Sequence, residues 1–176
     1  MIKIKSFTPT FEFIEKQIRK KTFGIISTID QKGHSHSTGI VYGIASSKSN
    51  FALYILTHRN YKKVKNIEKS NSVSFVIPFP HHILRFVPAS CVQFQGTAEI
   101  LPFSDKEAQG SFNAGSKILK MNLKQVSERK DKEKGVVFIK IIPDRKLYCY
   151  GLGFSLNELR KNVETGSYIV TIPQDR

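Results

Sequence analysis

A group of cationic and hydroxyl side chains after an apolar strand is suited to hold a phosphate. We predict a helix over 59–70, and Arg59, Lys62 and Lys63 stand in its first turns. The helix dipole disfavours cations there, so a negative group is expected nearby. Thr57 ends the preceding strand and can donate a hydrogen bond beside the free helix amides, while Lys63 can supply a full charge. The alternative is that these lysines belong to a generally basic surface.

The histidines are the other residues that could do chemistry. His34 and His36 alternate along a predicted strand, so they point to opposite faces and cannot share one ion without distortion. No histidine spacing resembles a structural zinc site, and we predict no metal. The loop 80–86 could cap a pocket. Hydrolase arrangements such as Ser-His-Asp or paired carboxylates are not found. The histidines considered are His34, His36, His58, His81 and His82.

Composition bounds the class of protein. The chain has 176 residues, of which 40% are hydrophobic and 24% charged, as in a globular protein with a single domain over 1–176. The formal charge of +14 attracts phosphorylated ligands and polyanions alike. A nucleic-acid-binding domain is therefore an alternative, although no nucleic-acid motif supports it.

The cysteines and the hydropathy predict a cytoplasmic protein. Cys91 and Cys149 lie in separate apolar segments without CxxC spacing, as expected for free thiols in a reducing compartment. The N-terminus has no continuous apolar leader. No stretch approaches the ~20 apolar residues of a membrane helix.

The first half of the chain predicts a helix and a β-hairpin. Apolar residues at helical spacing indicate a helix over 11–21, and alternation indicates strands over 22–30 and 35–45. Gly39 and Gly43 leave room on one face of the second strand. Such glycines indicate either a closely approaching ligand or a bend of a barrel.

Two further strands are apolar on both faces, namely 51–57 and 73–79. Antiparallel sheets normally expose one face, so double burial indicates a closed barrel whose outside is also covered, by helices or by a second subunit. We infer an intersubunit face and hence a homodimer.

The second half continues this pattern. A strand over 90–101 precedes a polar, partly helical excursion over 104–134, and a last hairpin over 135–150 precedes a short C-terminal helix. The predicted fold class is mainly β with α additions, a β-barrel with peripheral helices.

Several short motifs resemble the pyridoxamine 5′-phosphate oxidase-like, FMN-binding split-barrel family. Their order and gaps match the family pattern between Phe23 and about Leu101, and each motif alone is short. The matching stretches are Gly24 to Asp30, Gly33-His34-Ser35-His36, Tyr54 to Thr57, Lys63-Val64-Lys65-Asn66-Ile67, Val73 to Val76 and Gly96-Thr97-Ala98-Glu99.

The resemblance implies a set of cofactor contacts. The stretch from Thr38 to Gly43 would line the ring and ribityl chain of FMN, and Thr57, Lys62 and Lys63 would hold its phosphate. Some positions depart from the pattern, with Thr38 in place of Arg, Gly43 in place of Lys, Tyr61 in place of Ser and Cys91 in place of a ring-contacting Gln. The implied contact residues are Thr38, Gly39, Ile40, Val41, Tyr42, Gly43, Thr57, Lys62, Lys63 and Cys91.

The function implied by the resemblance is an FMN-dependent oxidoreductase or a flavin-binding protein. Vitamin B6 is not expected as substrate, because the region after Leu101 has no Tyr-x-x-x-Arg-x-x-x-Ser pattern and the C-terminus has neither Trp nor Arg-x-His. The alternative is a module without turnover that binds haem, a deazaflavin coenzyme or nucleic acid.

Overall fold

Alternating apolar and polar residues build a curled antiparallel sheet. A computed structural model describes residues 9–80, 89–128, 135–161 and 163–176. The predicted loop with His81 and His82 and most of the charge run before Gly135 lie outside these residues. The strands are β1 Phe23–Ile29, β2 Ser35–Val41, β3 Gly43–Ile44, β4 Leu53–His58, β5 Ser72–Phe79, β6 Ser90–Pro102, β7 Val136–Pro143, β8 Lys146–Tyr150 and β9 Ser167–Thr171.

The helices lie at the margins of this sheet. Thr10 caps the first helix by accepting a hydrogen bond from the backbone N–H of Phe13, as its position before an amphipathic segment predicts. Within the described residues, no helix combines the length and the apolar character that a transmembrane span requires. The helices are α1 Phe11–Ile18, α2 Lys62–Ile67, α3 Lys106–Asn113, α4 Lys117–Ser127 and α5 Leu156–Lys161, and Val163–Gly166 forms a 3₁₀ turn.

The sheet closes on itself but leaves a split. Its strand order is β2-β1-β5-β6-β7-β4-β3, and β2 and β3 are consecutive parts of one segment interrupted only at Tyr42. The two ends of the sheet are therefore held together by the chain, while β2 and β4 diverge without pairing. The ribbon of β8 and β9 extends from β6. The fold is the predicted split barrel with peripheral helices.

Two apolar clusters lie on opposite sides of β4 and β7. Inside the barrel, Leu53, Ile55 and Ile139 pack with side chains of α1 and α2. Outside it, Tyr54 and Phe138 pack against α3 and α4. Helices thus cover the outside of β4, which was one of the two predicted covers. The outward-facing Val76 of β5 is only half-buried.

The segment around α2 and the bend before β3 differ from the prediction. Helix α2 begins at Lys62 and ends at Ile67, shorter at both ends than the predicted 59–70. The strand predicted over 35–45 breaks at Tyr42, whose hydroxyl donates to the carbonyl of Ile18 at 3.1 Å. A Cβ on the following Gly43 would lie 2.7 Å from Ser111 Oγ, so the close approach of α3 requires glycine there.

Candidate functional site

A cavity of about 430 Å³ lies where the barrel splits between β2 and β4. One side is formed by the two strands and the start of α2, and the other side by α3 and α4. The cavity is therefore lined both by the part of the chain that the family resemblance covers and by the polar, partly helical segment predicted over 104–134. Its lining residues are Gly39, Ile40, Val41, Ile55, Leu56, Thr57, His58, Tyr61, Lys63, Phe112, Asn122, Gln125, Val126 and Val136.

Two polar residues of this cavity, Thr57 and Lys63, lack a hydrogen-bonding or ionic partner among the described residues. Thr57 is 8% exposed, and its hydroxyl oxygen is buried without a hydrogen-bond partner. Lys63 is also 8% exposed, and among the described residues no carboxylate lies within salt-bridge distance of its ammonium group. Buried polar groups normally have partners, because leaving them unpaired costs free energy. An anion in the cavity would satisfy both groups.

The surroundings of Lys63 favour binding of such an anion. Its Nζ atom lies 4.7 Å from the centroid of the Tyr61 ring, a cation–π contact that leaves the ammonium group without a counter-ion. Burial lowers the pKa of Lys63, because removal from water disfavours the charged form. A bound phosphate would reverse this effect by stabilising the charge.

His58 is fixed at the end of β4 beside these groups. Its Nδ1 accepts a hydrogen bond from the backbone N–H of Asn60 at 3.3 Å, and its ring packs on Gly135. A Cβ on Gly135 would lie 2.7 Å from the ring carbon Cε1, and the φ angle of 88° there also favours glycine. The ring position at the cavity is thus set by the backbone of β4 and of the residue before β7.

The residues predicted from the sequence divide into two groups. Those that line the cavity are Gly39, Ile40, Val41, Thr57 and Lys63. Tyr42 and Gly43 pack instead against α1 and α3, and the Oγ1 of Thr38 lies 3.4 Å from Nδ1 of His36. Cys91 lies on the outward face of β6, opposite Pro78 and Tyr150.

The cationic residues before and at the start of α2 also fall into two groups, those paired with a carboxylate and those without one. Nζ of Lys62 lies 3.5 Å from Oδ2 of Asp30, and Arg59 donates to Glu68 at 3.0 Å. The predicted excess of positive charge therefore has a local explanation at two of its three positions. Only Lys63 points into the cavity without a carboxylate among the described residues.

The two cysteines are free thiols, as predicted. Burial raises the pKa of Cys91 and raises that of Cys149 to about 12. Both groups therefore stay protonated at neutral pH, and a thiolate nucleophile is not favoured at either position.

Sequence reasoning missed the wall formed by α3 and α4. Phe112, Asn122, Gln125 and Val126 line the cavity from the segment predicted only as a polar excursion. The available signal was the spacing of Leu119, Asn122, Leu123 and Val126, the i, i+3, i+4, i+7 pattern of a helix face that packs on a core.

The fold defines a class of small split-barrel proteins, and in this chain a cavity lies beside the split. A family model described as pyridoxamine 5′-phosphate oxidase matches residues 11–148, and the chain belongs to this family. This confirms the resemblance found in the motifs. No curated protein sequence gives a significant match.

Solved structures share the fold at low sequence identity. HutZ, the heme storage protein from Vibrio cholerae, is similar with a TM-score of 0.63 and 13% identity over 82% of this chain and 98% of its own. An F420 reductase is similar with a TM-score of 0.53 and 17% identity over 74% and 92%. A FAD-binding protein from Mesorhizobium loti is similar with a TM-score of 0.55 and 14% identity over 77% and 91%. At these identities the similarity concerns the fold alone.

Proposed function

We propose that the chain binds FMN in the cavity at the split and acts as an FMN-dependent oxidoreductase or flavin-binding protein whose substrate is not vitamin B6. The observation that carries this proposal is that the buried residues Lys63 and Thr57 line one cavity, where, among the described residues, no carboxylate pairs with the ammonium group and no group hydrogen-bonds to the threonine hydroxyl. A phosphate monoester offers a charge and several acceptor oxygens to this pair.

The remaining lining supports a flavin rather than a free phosphate. Gly39, Ile40 and Val41 border the same cavity as Thr57 and Lys63. A Cβ on Gly39 would lie 3.1 Å from the ring of Phe23, so this glycine accommodates a side chain of β1. The neighbouring apolar side chains suit an aromatic ring system. Family membership and the names of similar proteins, which include a FAD-binding protein and an F420 reductase, favour the same ligand class.

The chain's own residues would bind, orient and shield the cofactor. FMN supplies the electron-transfer chemistry when it is bound. Lys63 and Thr57 would hold its phosphate end, and the β2 stretch with Gly39 would set the position of the ring. Helix α4 would limit the access of water from the outer side.

We further infer a cytoplasmic homodimer that pairs through the outer face of the sheet. Outward side chains form a row in which Ile25 lies opposite Val76, Gln93 opposite Tyr148, and Tyr148 opposite Ile169. Tyr148 and Ile169 are 42% and 56% exposed. Exposed apolar groups on a sheet face favour association with another protein surface. Sedimentation velocity that found only monomer at micromolar protein would overturn this part.

The proposal is tested with the visible spectrum of the purified protein, mass analysis of any released ligand, and fluorescence titration with FMN and with riboflavin. We expect FMN to bind at least about a hundredfold more tightly than riboflavin, because riboflavin lacks the phosphate. Equal affinities would remove the phosphate site from the proposal. A Soret band, a deazaflavin mass, or salt-sensitive binding of DNA by a colourless protein would instead favour the alternative binding functions.

A further inference from the structure

Helix α4 places two neutral amide side chains in the cavity. Asn122, Gln125 and Val126 are at i, i+3 and i+4, so they lie on adjacent positions of one helix face. The barrel-facing Leu119 and Leu123 are buried and anchor this helix in the outer apolar cluster. The amides are therefore presented by a fixed element of secondary structure.

Asn122 is a polar residue among apolar neighbours on α4. It stands between the buried Leu119 and Leu123 on the half-buried side of α4. Asparagine also has a lower helix propensity than leucine. Among the described residues neither its amide nor that of the exposed Gln125 has a hydrogen-bond partner in the protein, so both are available to a ligand. A polar residue that breaks the local pattern at a cavity wall indicates a role in binding.

The charges of α4 point elsewhere. Lys117, Lys120 and Lys124 are exposed, and Lys124 pairs with Glu128 at 3.5 Å. None of the three lysines lines the cavity. The α4 wall thus offers hydrogen-bonding amides and apolar surface but no full charge, whereas the opposite end offers the ammonium group of Lys63. A carboxylate or phosphate against this wall would lose its hydration without gaining a counter-ion.

We propose that the wall formed by Asn122, Gln125 and Val126 selects an uncharged substrate that carries amide groups. This inference rests on the proposed function, because FMN is taken to occupy the Lys63 end and leave the α4 wall to the substrate. The wall discriminates by charge. A neutral amide can both donate hydrogen bonds to the side-chain amides and accept them, whereas its carboxylate analogue can only accept and also loses hydration without gaining a counter-ion.

The test compares two ligands of nearly equal shape, 4-nitrobenzamide and 4-nitrobenzoate, by calorimetry with FMN-loaded protein. We expect the amide to bind at least about tenfold more tightly. Gln125→Lys adds a cation to the wall and should reverse this order. Met121→Lys adds the same charge to the same helix at an exposed position and should leave the preference unchanged. Thermal unfolding of both variants checks that α4 remains folded.

The outcomes separate this inference from the proposed function. Equal affinity for the two ligands in the wild-type protein, or an equal shift in the two variants, overturns the inference while FMN binding stands. If FMN does not bind, the proposed function fails, and the same titrations are run with inorganic phosphate at saturating concentration. The preference for the amide should persist there, because it depends on α4, and its absence overturns the inference in that case as well.

Discussion

Helix α2 has two flanks, one toward β1 and one toward β4, and both carry buried polar residues. The polar residues toward β1 are paired with other residues of the protein, whereas those toward β4 are available to a ligand. Toward β1, Asn66 donates to the hydroxyl of Thr28 at 2.9 Å, and Lys62 lies 3.5 Å from a carboxylate oxygen of Asp30. Toward β4, Lys63 and Thr57 are equally buried residues, yet among the described residues the threonine hydroxyl has no hydrogen-bond partner and the ammonium group has no carboxylate partner.

This difference separates residues that stabilise the fold from residues that are available to a ligand. A satisfied pair contributes to stability, whereas an unsatisfied one costs free energy that only binding can recover. Natural chains depart from local rules of packing and charge mainly at functional sites. The flank toward β4 is therefore where we place the phosphate, and the following predictions test the contrast.

The largest expected effect is that of Lys63→Glu. Replacing the attractive charge by a repulsive one should weaken FMN binding by about 3 kcal/mol, on the order of a hundredfold. Lys65→Glu makes the same change in charge at an exposed position of the same helix and should alter the affinity by less than about threefold. Fluorescence titration measures both. Equal losses in the two variants would show that only the overall charge matters.

Two buried threonines provide the next test. Thr57→Val removes a hydroxyl that has no hydrogen-bond partner in the described part of the chain. The free energy of unfolding of the ligand-free protein should therefore stay unchanged or rise slightly, while FMN binding weakens by about 1 to 2 kcal/mol. Thr28→Val removes the hydroxyl that accepts the hydrogen bond of the Asn66 amide. It should lower the free energy of unfolding by about 2 kcal/mol and have no direct effect on FMN affinity. Urea denaturation and FMN titration are the measurements. A comparable destabilisation by both variants would contradict the contrast between the flanks.

Most strands were predictable because successive side chains of a strand point to opposite faces of the sheet, so that apolar residues recur at every second position. The bounds of β1, β5 and β7 agree with the strands predicted over 22–30, 73–79 and the first part of 135–150 within a few positions. The short β3 and the late start of α2 were not predicted, because a bend at Tyr42 and a turn before Lys62 depend on packing against α1 and on the end of β4. Strand β9 was missed as well, since its pairing partner β8 is what defines it.

The candidate site was predictable only in part, for a related reason. Residue type and position after a strand were enough to single out Thr57 and Lys63. The carboxylate partners of Arg59 and Lys62 depend on which segments fold against α2, which no local pattern reveals. The α4 wall was not predicted, because a helix with many lysines is typical of a solvated surface. That Asn122 borders a cavity becomes visible only in the folded structure.

The pKa of Lys63 gives a third prediction. Burial lowers this pKa in the free protein, and a bound phosphate raises it again, so binding above the lowered pKa requires uptake of a proton. FMN affinity should therefore fall as the pH rises toward the range of ordinary lysines, by up to about tenfold per pH unit. Lys63→Arg stays charged throughout and should show a flatter profile. Ionisation of the flavin itself affects both proteins equally, so coincident profiles would exclude Lys63 as the titrating group.

The smallest effect is expected for Lys62→Gln. The family resemblance assigns Lys62 to the phosphate together with Lys63, whereas the structure pairs it with Asp30 at an exposed position. An exposed ion pair contributes less than about 1 kcal/mol, so stability should change little and FMN affinity by less than about threefold. Titration of this variant beside Lys63→Glu measures the difference. A loss as large as that of Lys63→Glu would mean that Lys62 leaves Asp30 when FMN binds, and both flanks of α2 would then contribute to the phosphate site.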